Sequence, residues 1–160
     1  MKYGHNPLAI ANHFIDLSNP EGLSLVQLIK LTYISHGFTL AILEKPLSNE
    51  LAEAWKYGPV FPAIYHAFKS SKDIYKITHK AKAFGTIFES NFNDIEKGIM
   101  KTAFEAYKNH SASQIISFTH EKDGPWDKAW REGGKHSKNY KIQDDIIKKY
   151  YKIRMEKANS

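Results

Sequence analysis

The 160-residue chain is 42% hydrophobic and 25% charged, which excludes a disordered polymer and gives one globular domain spanning 1–160 enough apolar material for a real core. It contains no cysteine, so disulfides, thiolate nucleophiles, iron–sulfur clusters and the usual structural zinc sites are excluded, and a cytoplasmic home is expected. The net charge of +6 is C-terminal: residues 1–127 carry 13 Lys/Arg against 13 Asp/Glu, and residues 128–160 carry 10 against 4.

Leu8, Ile10, Ala11, Phe14, Ile15 and Leu17 recur at helical spacing behind Pro7, which predicts a first helix over about 7–17. Asn12, His13 and Asp16 interrupt it too often for a signal peptide. No apolar run approaches the roughly 18–20 residues of a membrane span, so no membrane is expected. Ser24 and Gln27 form a capping-box pattern opening a second helix to about Leu43. Its apolar residues occupy most of the circumference, as in a central helix contacted on several sides. After a turn over 44–50, Leu51–Trp55 is a strand or extended connector. Tyr57-Gly58-Pro59-Val60-Phe61-Pro62 reads as a shaped loop, because two prolines remove two backbone donors. A short helix over about 62–68 follows. Residues 74–92 read as loop with at most a short strand.

Helical spacing returns over 93–109, with Ile95, Ile99, Met100, Ala103, Ala106 and Tyr107 on one side and acids in the first turn. Ser111 and Gln114 repeat the capping box and open a helix to about 118. Gly124 and Pro125 force a turn and start a helix placing Trp126 and Trp130 on one face. Residues 133–140 read as a flexible polar link. The last helix, about 142–156, has an inner stripe of Ile142, Ile146, Ile147, Tyr150 and Ile153, and a basic outer face of Lys148, Lys149, Lys152 and Arg154. The expected fold is mainly α: a compact single-domain helical bundle around a central buried helix, with at most a small β element near residues 50–57.

No catalytic apparatus is visible. The eight histidines lack metal-ligand spacing, Glu132–Ser137 lacks the upstream glycine and Lys-Ser/Thr pair of a phosphate loop, and no serine pairs with a base. No metal, cofactor or catalytic residue is therefore expected, and the protein is read as a non-enzyme. Two loops carry more chemistry than connectors need. In the first, Trp55, Tyr57, Phe61, Tyr65, His66 and Phe68 cluster around Gly58, Pro59 and Pro62. In the second, His120, Glu121 and Asp123 stand beside Gly124, Pro125 and Trp126. Aromatic residues on a stiff backbone suit protein contact, because little side-chain entropy is lost on binding. Alternatively the tryptophans fill the core and the acids cap the next helix. The basic C-terminal segment leaves a nucleic-acid-binding regulator as the alternative reading, although it lacks a clear helix-turn-helix or arginine-rich cluster.

Residues 24–69, with their leucine- and lysine-rich helix, Lys-Pro-Leu turn and EAWKYGPVFP stretch, resemble the Panacea, or SocA-like, antitoxin domain family, also labelled phage-associated GepA-like proteins. Residues 118–130 (FTHEKDGPWDKAW) resemble the family's Thr-His…Pro-Trp motif. The resemblance implies an antitoxin that neutralises a toxin from an adjacent gene by direct contact, or delivers it to the ClpXP protease as a proteolytic adaptor. It carries over Trp55, Tyr57, Gly58, Pro59, Pro62, Tyr65 and His66 from the first motif, and His120, Gly124, Pro125 and Trp126 from the second. Asp123 and the basic face are added as candidate partner-binding residues.

Overall fold

Ser24 closes the N-terminus of helix α2 (Leu25–Leu43) as its spacing predicts. Its hydroxyl accepts the Gln27 N–H at 3.1 Å, and Gln27 Oε1 accepts the Ser24 N–H at 2.9 Å. In the computed structural model, which describes residues 3–159, this helix is the pillar of the molecule. It is contacted by α1 (Pro7–Ser18), α3 (Pro62–Phe68), α4 (Asp94–Tyr107), α5 (Ala112–Thr119) and α7 (Asp144–Ala158). One expectation needs correction: α2 is long and apolar enough, by length and composition, to cross a membrane. Its surroundings give the other use of such a helix, since 13 of its 19 residues are buried among the neighbouring elements.

Two residues on α2 set the position of α7. Buried His36 accepts the Ser48 N–H at Nδ1 (3.1 Å), which leaves the proton on Nε2 to donate to Asp144 Oδ1 (2.8 Å). At the next residue, Gly37 lies against the Tyr151 ring, where a β-carbon would come within 2.3 Å of a ring carbon. This geometry corrects the expected stripe on α7. Its buried residues are Ile147 and Tyr151, while Ile146 and Ile153 are each 42% exposed. Ile142 is buried, but as a strand residue that precedes the helix.

The small β element is a three-stranded antiparallel sheet in the order β2 (Gly58–Val60), β1 (Ala52–Trp55), β5 (Lys141–Ile142). The stretch read as a shaped loop is thus half strand: Lys56 and Tyr57 are the turn of a hairpin that pairs Trp55 with Gly58 and Ala54 with Pro59. Proline fits there because β2 is an edge strand, with no further ladder to receive its missing N–H. The segment read as a flexible link is also folded. Helix α6 (Pro125–Ala129) runs into a π-helical turn, Trp130–Gly134, whose glycines admit the Tyr140 ring against Gly133 and the Ala54 carbonyl against Gly134.

A second hairpin, β3 (Lys82–Ala83) and β4 (Thr86–Ile87), is the short strand expected within 74–92. Asn12 of α1 fastens its base. The buried amide donates to Ala81 O and Phe88 O, both at 2.9 Å, and accepts the Ala81 N–H at 2.8 Å. Asn12→Ala takes the partner from the Ala81 N–H and the Phe88 carbonyl, while Ala81 O keeps the Phe88 N–H, and is expected to cost about 2–4 kcal/mol in urea unfolding, with faster exchange of the Ala81 amide. Among the described residues the sheets have only two or three strands beside seven α-helices, so the mainly α expectation holds.

Candidate functional site

The two loops singled out in the sequence meet. Trp126 Nε1–H donates to Trp55 O at 2.7 Å, a bond between residues 71 positions apart that ties the start of α6 to the end of β1. The His120 ring stacks on Trp126 with centroids 3.9 Å apart, and Trp126 lies parallel to Trp130 at 5.8 Å. On the other side of the hairpin, Trp55 meets Tyr65 edge-on at 5.1 Å, and Tyr65 meets His66 at 5.4 Å. The Trp55 indole N–H donates to the buried Glu53 carboxylate, whose other oxygen takes Lys141 Nζ at 2.6 Å. Two aromatic clusters, one on α3 and the hairpin and one on the α5–α6 corner, are therefore joined by the bond from Trp126 to the Trp55 carbonyl.

The candidate residues divide into scaffold and surface. Gly58, Pro59, Gly124, Pro125 and Trp126 are buried. Pro62 and Pro125 each open a helix, where the absent N–H leaves nothing unpaired. Tyr57 is 69% exposed at the hairpin turn, and His66 and Asp123 are also exposed, while Trp55, Tyr65 and His120 are half-buried. Asp123 pairs with Arg131 at 2.8 Å, and its N–H donates to Asp127 at 2.8 Å. That backbone N–H, followed by Arg131, holds the Asp127 carboxyl below its usual range. This cluster shapes the entry to α6, but not by the capping expected of the acids, since the N-cap is Gly124 and no side chain caps it.

The sequence reading missed Lys30, which lies in the second turn of α2 and is 3% exposed. Its ammonium donates to Pro59 O at 2.8 Å, so the central helix supplies the partner for the edge strand's carbonyl. Burial pushes the Lys30 amine down to about 7. Gly58, at φ +117°, is needed beside it: a β-carbon there would lie 2.7 Å from Lys30 Nζ and 3.0 Å from His120 Nε2. His120 Nε2 is buried without a hydrogen-bond partner. Burial lowers the His120 pKa most, Lys30 lowers it further, and the Tyr57 backbone and Asp127 oppose them. The signal for Lys30 was present, because a helix apolar around most of its circumference leaves no solvent face for a lysine in its second turn.

Beside this cluster α2, the hairpin and α5 enclose an apolar groove of about 380 Å³, lined by Val26, Ile29, Lys30, Val60 and Ile116, with Tyr57 and Tyr75 at its rim. Tyr75 is 81% exposed. The basic face of α7 has a different character. Lys148 and Lys152 both pair with Glu44, at 3.1 and 2.6 Å, and Arg154 pairs with Glu121 at 2.7 Å. Glu121 also accepts the Tyr150 hydroxyl, and the two lysines draw the Glu44 carboxyl down to about 2. Among the described residues no group of three or more His, Asp or Glu is placed to hold a metal ion.

The family model described as "Antitoxin SocA-like, Panacea domain" matches residues 28–127. The chain belongs to the SocA-like Panacea antitoxin family. It is 32% identical over 127 residues to Antitoxin SocA of Caulobacter vibrioides (strain NA1000 / CB15N), covering 74% of this chain and 67% of that protein. No solved structure matches. The matched Panacea stretch contains Lys30, the hairpin, His120 and Trp126, and leaves α1 and α7 outside it. Membership supports an antitoxin role with a cognate toxin as partner, and suggests a regulatory rather than an enzymatic one. What the Panacea geometry offers is a pair of aromatic clusters tied together by one hydrogen bond, an apolar groove and a buried amine.

Proposed function

We propose that this chain neutralises a cognate toxin in the cytoplasm by direct protein contact, through the face formed by the β1–β2 hairpin, α3 and the α5–α6 corner. One observation carries the reading: two motif loops far apart in sequence are joined by a hydrogen bond, with Tyr57, Tyr65 and His66 at their outer side and Tyr75 beside them from the loop after α3. Their inner neighbours are locked by hydrogen bonds and stacking, so the outer rings lose little freedom when a partner covers them. Freedom from cysteine suits a reducing compartment. The basic face of α7 is the lesser candidate, for toxin or nucleic acid alike, because three of its four cations already hold Glu44 and Glu121. Steric occlusion and delivery to ClpXP both begin with the same contact, and the half-life of the toxin in cells with and without ClpX separates them.

Co-expression with the toxin encoded beside this gene tests the proposal. Wild type is expected to rescue growth and to co-purify with the toxin. Tyr57→Ala, a substitution at an exposed turn, is expected to weaken the complex about tenfold or more while leaving the far-UV spectrum unchanged. Neutralising Lys148, Lys149, Lys152 and Arg154 together is expected to weaken it less. The reverse order would move the contact to α7, and failure of the wild-type chain either to rescue growth or to co-purify would sink the proposal.

A further inference from the structure

Lys30 is buried at a place where the fold supplies it with one acceptor and leaves the rest of its capacity unused. An ammonium carries three donors, and among the described residues only Pro59 O receives one. Across Gly58, His120 Nε2 is buried and makes no hydrogen bond of ordinary geometry, although the Tyr57 backbone beside the ring favours its protonated form. The β-carbon position of Gly58 lies 2.7 Å from Lys30 Nζ and 3.0 Å from His120 Nε2, so the two nitrogens are close enough for one oxygen atom to bridge them. Lys30 lines an otherwise apolar groove whose only other cation is Lys56, and no acid is among its lining residues. Unused donor capacity on a buried ammonium is costly, and a fold that keeps Lys30 short of acceptors on the wall of an open apolar groove, with His120 Nε2 behind it, is completed by a group that accepts from them.

We propose that Lys30, with His120 behind it, is the receptor for a carboxylate presented by the toxin on an apolar segment that fills the groove between α2, α5 and the hairpin. This rests on the toxin-binding reading above and names the chemistry that reading leaves open. The apolar walls take the flanking side chains. The carboxylate takes the free donors of Lys30 and, with Lys56 at the rim, neutralises a charge that the empty site disfavours. His120 faces Lys30 across Gly58 and is itself acted on by Asp127, and the titratable groups that share the groove with Lys30 are Lys56 and Tyr57 from the hairpin, Tyr65 from α3 and Tyr75 from the loop after it. Without an anion burial holds the amine near 7; with a carboxylate on it the ammonium is favoured, so binding above neutral pH draws a proton from solution.

Calorimetric titration of the full chain with the adjacent-gene toxin at pH 8, repeated in phosphate and in Tris, reads that proton directly because the buffers differ in ionisation enthalpy. The expected result is uptake of about one proton by wild type, with Lys30→Met binding at least about 30-fold more weakly and taking up correspondingly less. Each Asp or Glu of the toxin replaced singly by its amide should include one that loses affinity in wild type and not in Lys30→Met. Equal affinity and equal proton uptake for the two chains would overturn the carboxylate receptor and leave toxin binding standing. Absence of uptake by wild type would overturn it even if Lys30→Met failed to fold. No binding by wild type would remove the underlying reading, and this inference with it.

Discussion

Trp126→Ala is expected to lower the unfolding free energy by about 3–5 kcal/mol, measured by urea denaturation followed in the far ultraviolet. Trp126 is 7% exposed, lies between the His120 and Trp130 rings and donates the indole hydrogen bond that joins the two motif loops. Removing it opens a cavity of aromatic size and strips the Trp55 carbonyl of its donor at once. Trp126→Phe separates these contributions. It keeps most of the stacking and loses the bond, so a smaller deficit of about 1–2 kcal/mol is expected. A loss below about 1 kcal/mol for the alanine variant would mean that the corner is not what holds hairpin and α6 together.

The second large effect concerns pH. The Lys30 amine titrates near 7 in the folded chain and at about 10.5 when unfolded. Between those values the unfolded chain binds the additional proton, so stability rises with pH across this window, by at most about 1.4 kcal/mol per unit. Below pH 7 both states are protonated, and the burden of the buried charge is constant. Lys30→Met removes the titration, so wild type should gain on the variant by about 2 kcal/mol between pH 7 and 9. At pH 7 the variant should be the more stable chain, by an order of a few kcal/mol less the loss of the bond to Pro59 O. Taking the difference between the two chains at each pH cancels the buried phenols Tyr33 and Tyr151, whose raised pKa values act at the alkaline end. A flat difference would show that water reaches the amine in the folded state. Combined with the expected loss of toxin binding, a more stable Lys30→Met would mark Lys30 as a residue kept for recognition at the expense of stability.

What was legible in the sequence was local. Capping boxes at Ser24 and Ser111 formed as read, because the spacing of hydroxyl and amide alone determines those bonds. The all-round apolar α2 was identified as the pillar for an equally direct reason. Both motif loops were named, but that they join through Trp126 and Trp55 O depends on a hydrogen bond across 71 positions, which periodicity does not contain. The stripe on α7 was misjudged because Ile146, Tyr150 and Ile153 have helical spacing just as Ile147 and Tyr151 do. The choice between the two phases is made from outside the helix, by His36 on Asp144 and by the flat surface of Gly37. Strand β5 is only two residues long and is defined by its partner β1. Lys30 was overlooked because a charged residue among apolar ones is usually assigned to solvent, and here the helix has none to offer.

The contact between Gly37 and Tyr151 also bears on where this molecule can be cut. The match to the family model ends at residue 127, yet Tyr151 and Asp144 lie beyond it and cover the flank of α2 that carries Gly37 and His36. Phe14 and Ile10 of α1, which also packs on α2, come before residue 28 and are fully buried. A fragment trimmed to the matched stretch would therefore expose its own pillar where α1 and α7 pack on it and invite association through it. For expression or for grafting onto another protein, the boundary of kinship and the boundary of the smallest self-sufficient fold are different places, and the second includes both flanking helices.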